Sequence, residues 1–190
     1  EYWDLRPQLV RTNSGRTKFM IQDTLYPGTA GAAPGLPGQR EFGSLRSGGD
    51  DPIVRLQDMD ANGIDVCVCI PGGPGVNMVR DLGLAAAMSR ARNTWLRDFC
   101  AEDPQRLRGV PFLPDQDMDI AMLELKRIID EPWVAAIRLP GNVRGMGLDD
   151  PYFRPAFQMA VDHDLPILIH AGAGGSDVQP LPAQERLKTF

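Results

Sequence analysis

Residues 51–70 read DPIVRLQDMDANGIDVCVCI and contain one complete helix-to-strand unit. Asp51 followed by Pro52 is typical of a helix start, because an aspartate caps free backbone N–H groups and proline suits the first turn. Asn62 followed by Gly63 predicts the end of that helix, since glycine readily takes the left-handed conformation of a C-cap. The apolar run that follows has the length of a buried strand.

The same alternation of helix and strand continues through three more units. Further helices are predicted over 81–101, 117–129 and 150–161. The strands that follow them are predicted over 107–113, 133–139 and 165–170. In the longest helix, the predicted apolar face carries Leu84, Met88, Ala91, Trp95 and Phe99.

Four strands that are apolar on both faces and alternate with helices favour a parallel α/β sheet of right-handed βαβ units. A doubly wound sheet and a (β/α) barrel both satisfy this pattern, and periodicity alone does not choose between them. A doubly wound nucleotide- or flavin-binding domain is disfavoured, because the glycine-rich strand-to-helix turn that it needs is missing. The glycine-rich stretch 72–75 lacks the spacing of a phosphate-binding motif, so we interpret it as a flexible active-site loop.

We predict a single incomplete domain over residues 1–190. Residues 1–50 form an irregular N-terminal excursion with one short strand near 18–21, because the stretch 26–38 is rich in Gly, Pro and Ala. Residues 51–175 hold the βα repeats, and 176–190 begin the next loop or helix. The chain starts with Glu rather than Met and stops without a finishing element, so we expect a fragment of a longer protein.

Composition narrows the classes of partner. The chain is 43% hydrophobic and 24% charged, with a formal net charge of −5 and scattered basic residues, which argues against nucleic acid as a partner. No apolar run approaches the roughly 18–20 residues that cross a bilayer, so we expect no membrane contact. Three cysteines form no disulfide framework and fit free thiols in a reducing compartment, the cytoplasm.

The helix–strand units also carry motifs in a fixed order. They are RLQDMDANGID at 55–65, RARNTWL at 90–96, DPQRLRG at 103–109 leading to PFLP at 111–114, DDPYFRP at 149–155 and HDLPILIH at 163–170. Together these segments resemble the amidohydrolase-related family, which includes aminocarboxymuconate-semialdehyde decarboxylase and the resorcylate-type decarboxylases. No single segment is highly specific, but in this order and with this spacing they are fairly specific together.

The resemblance implies a partial (β/α)8 TIM barrel of the metal-dependent hydrolase type, with about strands 2 to 5 and their helices present. A closed barrel needs about 250 residues, more than this chain has. A divalent metal, with zinc as the expected ion, is implied at the carboxyl-terminal mouth. The family's fifth-strand histidine ligand matches His170. The first-strand ligand pair is expected upstream of Glu1, and the sixth-strand histidine and late aspartate beyond Phe190, so the catalytic residues are expected outside this stretch.

Three residues are candidates for the site. A neutral imidazole at the end of an apolar strand, as at His170, is a good zinc ligand; without the family context, a satisfied structural histidine is the simpler interpretation. Arg138 and Asn142 lie at the end of an earlier strand and in its loop, where an arginine fork suits a substrate carboxylate. For Arg138 the plainer interpretation, a structural ion pair or an outward-facing side chain, is favoured.

The leading functional hypothesis is a metal-dependent, non-oxidative decarboxylase of a small organic or aromatic acid. In the mechanism that the resemblance implies, the metal orients the substrate, a histidine and an aspartate manage protons, and carbon dioxide leaves. One alternative is a metal-dependent hydrolase of an amide, ester or lactone. Another is a non-catalytic half-barrel that needs a partner chain. The expected partner is a small organic acid, and a homodimer is the assembly considered.

Overall fold

The computed structural model describes residues 2–11, 17–25, 48–70, 72, 75–76 and 79–170. The predictions made for 26–38 and 176–190 lie outside the described residues, as do most residues of the glycine-rich loop after Ile70.

Four α-helices follow the predicted starts closely. They are α1 (Pro52–Asn62), α2 (Leu82–Cys100), α3 (Met118–Ile128) and α4 (Arg154–Asp162). At the first three helix starts, backbone N–H groups donate to an aspartate side chain, which is that of Asp51, Asp81 or Asp117. The aspartate cap predicted before α4 serves a 3-10 turn, Pro151–Phe153, that runs directly into the helix. Gly63 ends α1 in the left-handed conformation with φ of 68°.

Nine strands are present in the described part of the chain. They are β1 (Gln8–Arg11), β2 (Thr17–Ile21), β3 (Thr24–Leu25), β4 (Cys67–Cys69), β5 (Leu107–Gly109), β6 (Ile137–Leu139), β7 (Asn142–Val143), β8 (Met146–Gly147) and β9 (Ile167–Ile169). The four predicted parallel strands correspond to β4, β5, β6 and β9. Each is shorter than its apolar run, although single backbone hydrogen bonds, such as that from the Val110 N–H to the Cys69 carbonyl, continue the pairing beyond the strand ends.

The four parallel strands lie side by side in chain order. β4 pairs with β5, and β6 pairs with β9, both in parallel. A parallel bridge between Gly109 and Val134 joins the two pairs, with the Gly109 N–H donating to the Trp133 carbonyl at 2.6 Å. The predicted α/β arrangement of parallel strands and intervening helices is therefore confirmed.

The helices pack on one face of these strands. Cys67 and Leu107 are register partners, and both pack with α1, α2 and α3 in one apolar cluster. Ile137 and Leu139 pack with α3 and α4 in a second cluster, and Ile167, the register partner of Ile137, joins it. Consecutive strand order with helices on one face differs from a doubly wound sheet, which places helices on both faces.

The N-terminal region holds more structure than predicted. The short strand expected near 18–21 is β2, but it forms the middle of a three-stranded antiparallel sheet with β1 and β3. The turn between β2 and β3 uses Gln22 and Asp23 at positive φ, without the glycine or asparagine that normally marks such a turn. The β7–β8 hairpin was likewise not predicted.

The prediction of the apolar face of α2 is partly wrong. Leu84 and Phe99 are buried as expected, but Ala91 is exposed and Trp95 is 41% exposed. The buried face instead includes the polar residue Asn93, which is only 1% exposed. Asn93 is buried because its side chain forms hydrogen bonds with the backbone of Phe112. Hydrophobic periodicity does not predict such a contact. No helix among the described residues is long and apolar enough to span a membrane.

Candidate functional site

A cluster of polar and aromatic side chains lies where the parallel strands end. We call it the strand-end cluster: Phe112, Asp115, Gln116, Arg138 and Tyr152. The carboxyl ends of the strands are where barrel enzymes place their sites, because the connecting loops converge there.

Arg138 and Asp115 form a buried ion pair at the centre of the cluster. An Nη2 hydrogen of Arg138 is donated to Oδ2 of Asp115 at 2.9 Å, and the side chains are 2% and 1% exposed. Arg138 is in β6, on the face opposite to Ile137 and Leu139, which pack against the helices. The pair favours a structural role for Arg138, and its predicted contact with a substrate carboxylate stays a prediction.

Burial dominates the electrostatics of Asp115. Loss of solvent raises the pKa of Asp115 to about 7, and the charge and hydrogen bond of Arg138 only partly offset that effect. The carboxyl group therefore changes protonation near neutral pH. Tyr152 has its pKa raised as well, first by burial and then by the negative charge of Asp117.

Residues 115 and 116 contact several chain segments. The Tyr152 hydroxyl donates to the carbonyl of Asp115 at 2.7 Å. The Gln116 side-chain amide donates to the carbonyls of Val76 and Val79 at 2.9 and 3.2 Å, so it holds the loop between β4 and α2. Side-chain hydrogen bonds of this kind hold loops whose backbone forms no β-sheet hydrogen bonds.

Asn93 holds the backbone of Phe112 in place. The Phe112 N–H donates to Oδ1 of Asn93 at 2.8 Å, and Nδ2 of Asn93 donates to the Phe112 carbonyl at 2.9 Å. The same Nδ2 donates to Oε1 of Glu124 at 2.9 Å, and Glu124 also accepts two bonds from Arg127. The ring of Phe112 lies 4.8 Å from Cζ of Arg138, within the range of a cation–π contact.

His170 follows directly after β9 and is exposed. Its backbone N–H donates to the Leu139 carbonyl at 3.0 Å, so the β6–β9 ladder continues to this residue. Strand alternation places His170 on the same face as Leu168, which is the register partner of Arg138. Asn142 is half-buried in β7, opposite Gly147. The metal role of His170 and the substrate role of Asn142 stay predictions.

A cavity of about 730 Å³ runs along β4 between α1 and α2. Its lining combines apolar and cationic side chains: Arg55, Met88, Arg92, Trp95 and Phe99. The Arg92 guanidinium also lies 4.4 Å from the centroid of the Phe112 ring, which connects this cavity to the strand-end cluster. A lining that combines two guanidinium groups with aromatic rings suits a ligand that is both anionic and flat.

The three cysteines lie together on the helix-facing side of β4. Cys67 and Cys69 share a strand face as predicted, with their Sγ atoms 3.8 Å apart, and Cys100 on α2 is fully buried. Burial raises the pKa of Cys67, and a hydrogen bond with Cys100 raises that of Cys69, so these two thiols stay protonated at neutral pH. The described residues include no group of three His, Cys, Asp or Glu side chains that could hold a metal ion.

Asp115 and Gln116 were not predicted as site residues from the sequence. Both directly follow Pro114, at the end of a predicted strand and on the side expected for the site. An acidic residue in that position is a usable signal, because strand-end loops carry the functional side chains of such folds. Tyr152 offered no comparable signal.

Comparison with known proteins places the chain in a family. The family model described as Amidohydrolase matches residues 23–187. Gamma-resorcylate decarboxylase of Rhizobium radiobacter is 30% identical over 140 residues, which is 70% of this chain and 41% of the relative. The 2-amino-3-carboxymuconate-6-semialdehyde decarboxylase of Dictyostelium discoideum is 28% identical over 120 residues, covering 63% of this chain and 33% of the relative.

A solved structure shows the same similarity in three dimensions. It is 5-carboxyvanillate decarboxylase from Novosphingobium aromaticivorans, in complex with manganese and 4-hydroxy-3-methoxy-5-nitrobenzoic acid. The TM-score is 0.57 at 32% identity, over 70% of this chain and 37% of that protein. The chain thus spans less than half the length of the relatives named here. The expected resemblance is confirmed: the chain belongs to the Amidohydrolase family.

Proposed function

We propose that the protein carrying this chain is a metal-dependent decarboxylase of an aromatic acid. The observation that carries the proposal is the position of His170, exposed at the carboxyl end of β9 on the face of the strand-end cluster. Relatives at 28–32% identity are decarboxylases, and one of them binds manganese together with a nitrobenzoic acid.

The consecutive parallel strands support a partial TIM barrel as the architecture. In this proposal β4, β5, β6 and β9 are strands 2 to 5 of the barrel. Within the described residues, β4 and β9 each have a single strand partner, and both carry exposed apolar side chains, Val68 at 51% and Ile169 at 59%. The further strands and helices of a closed barrel would cover these residues.

One divalent metal ion would be held in part by His170. An exposed imidazole at a strand end fits one ligand position, and manganese or zinc both accept such a nitrogen. The described residues supply no complete ligand set, so the remaining ligands belong to other parts of the protein. When bound, the metal would supply Lewis-acid chemistry that orients and polarises the substrate.

The cavity along β4 supports an aromatic carboxylate as the substrate. Arg55 and Arg92 supply positive charge to its lining, and Trp95 and Phe99 supply ring surface. Because both line the cavity, Arg55 and Arg92 join Arg138 as proposed contacts for a substrate carboxylate. Asn142 is retained as a proposed substrate contact from β7.

A product assay tests this proposal. The protein is supplied with manganese and offered 2,6-dihydroxybenzoate and 5-carboxyvanillate, and carbon dioxide release is measured. Decarboxylation of either acid supports the proposal, with rates that fall on replacing Arg92 with methionine. Hydrolysis of an amide, ester or lactone panel without carbon dioxide release would favour the hydrolase alternative instead. Failure in both assays would favour a non-catalytic protein.

A further inference from the structure

Asp115 and Gln116 contact the loop after β4, strand β6 and the 3-10 turn before α4. Gln116 binds Val76 and Val79 in the loop after β4. Asp115 binds Arg138 of β6 through its side chain, and it binds Tyr152 through its backbone carbonyl. The two residues themselves lie between β5 and α3. Two adjacent residues therefore connect four loop or strand-end segments.

Stability alone does not account for this arrangement. Three buried polar atoms of the cluster have no hydrogen-bond partner among the described residues: Oδ1 of Asp115, Oε1 of Gln116 and Nε of Arg138. Each such atom destabilises the folded state, and a buried ion pair is weak evidence for stability in general. Buried ionic contacts do serve to select one arrangement of the chain over others in some proteins.

Two of these contacts lead to His170. Arg138 directly precedes Leu139, whose carbonyl accepts the backbone N–H of His170. Tyr152 lies in the 3-10 turn that runs into α4, and α4 leads into β9 and His170. In the described part of the chain, the position of His170 therefore depends on its hydrogen bond to β6 and on the position of α4, which precedes β9.

We propose that Asp115 and Gln116 are positioning residues that hold the strand-end loops, and through them His170, in one arrangement. Neither residue needs to touch substrate or metal for this role. Asp115 acts through Arg138 and Tyr152, and Gln116 acts through the loop after β4. The inference rests on the proposed function only in giving His170 the role of a metal ligand.

Hydrogen exchange tests the positioning role without metal or substrate. The variants are Asp115→Asn and Gln116→Met, with Asp119→Asn on the exposed surface of α3 as the matched control. The amide of His170 should exchange about tenfold faster in Asp115→Asn, because its bond to Leu139 opens more often. In Gln116→Met the accelerated amide should instead be that of Val79, which bonds to the Val76 carbonyl in the loop that Gln116 holds. The amide of Ile129, which bonds inside its own helix, should keep its rate.

The outcomes separate positioning from general destabilisation. Equal acceleration at His170 and Ile129 would mean that the variants only destabilise the fold, and no acceleration at His170 would mean that Asp115 does not position it. Either result overturns the inference.

A second readout separates the inference from the proposed function. Manganese binding by the whole protein should weaken about tenfold in Asp115→Asn and stay unchanged in Asp119→Asn, as expected when a ligand loses its support. Selective exchange at His170, with manganese binding unchanged in both Asp115→Asn and His170→Ala, would overturn the proposed function and leave the positioning role supported.

Discussion

Replacing Asn93 with alanine removes a buried amide that satisfies both backbone groups of Phe112. The two bonds are 2.8 and 2.9 Å long, and Asn93 is 1% exposed, so water does not replace the lost partner. Each unsatisfied buried group costs about 1–3 kcal/mol, which gives a loss of about 2–6 kcal/mol in unfolding free energy. Typical proteins have about 5–15 kcal/mol in total, so the change is severe.

Urea unfolding of the protein carrying this chain measures the effect. The matched control is Asn62→Ala, because Asn62 donates a single exposed bond to the Asp58 carbonyl. The control should change the free energy of unfolding by less than about 0.5 kcal/mol. If Asn93→Ala and Asn62→Ala shift the urea midpoint equally, the amide does not hold Phe112, and the reasoning about the buried polar face of α2 is wrong.

Two further predictions concern the strands and the buried carboxyl group. Gly109→Ala would place Cβ 2.8 Å from side-chain carbons of Leu96 and Trp133. We therefore expect a loss of about 1–3 kcal/mol in unfolding free energy. The control Gly141→Ala meets no atom within 4 Å and should leave the free energy of unfolding unchanged. Equal urea midpoints for the two variants would contradict this packing. Because the pKa of Asp115 is raised to about 7, its protonation stabilises the fold fully below about pH 4, and that contribution is lost as the pH rises through 7. Relative to Asp115→Asn, the wild type should lose on the order of 4 kcal/mol between pH 4 and 8, and a flat or opposite difference would refute the shift.

The helices were predictable because their signals are local. Asp51, Asp81 and Asp117 each cap a helix at the expected residue, and Gly63 ends α1 in the left-handed conformation. Apolar runs located all four parallel strands, although not their ends. The order of the strands needed the structure, since periodicity does not report which strands are neighbours.

The strand-end cluster was less predictable because its contacts join residues distant in sequence. Asp115 and Arg138 are 23 positions apart, and Asp115 and Tyr152 are 37 apart. Arg138 was identified as a candidate from its place at a strand end, but its partner could not be chosen from many acidic residues. The polar face of α2 was missed for the same reason, because the partner of Asn93 lies in another segment.

The most direct test of the proposed metal site is the metal content of the whole protein with and without His170. The His170→Ala variant is compared with His163→Ala. His163 lies at the end of α4, with its Nδ1 atom 2.9 Å from Oδ1 of Asp130. After chelation and titration with manganese, we expect tight binding in the wild type and in His163→Ala. In His170→Ala we expect binding weakened by at least about tenfold. Equal manganese affinity in all three proteins would mean that His170 is not a metal ligand.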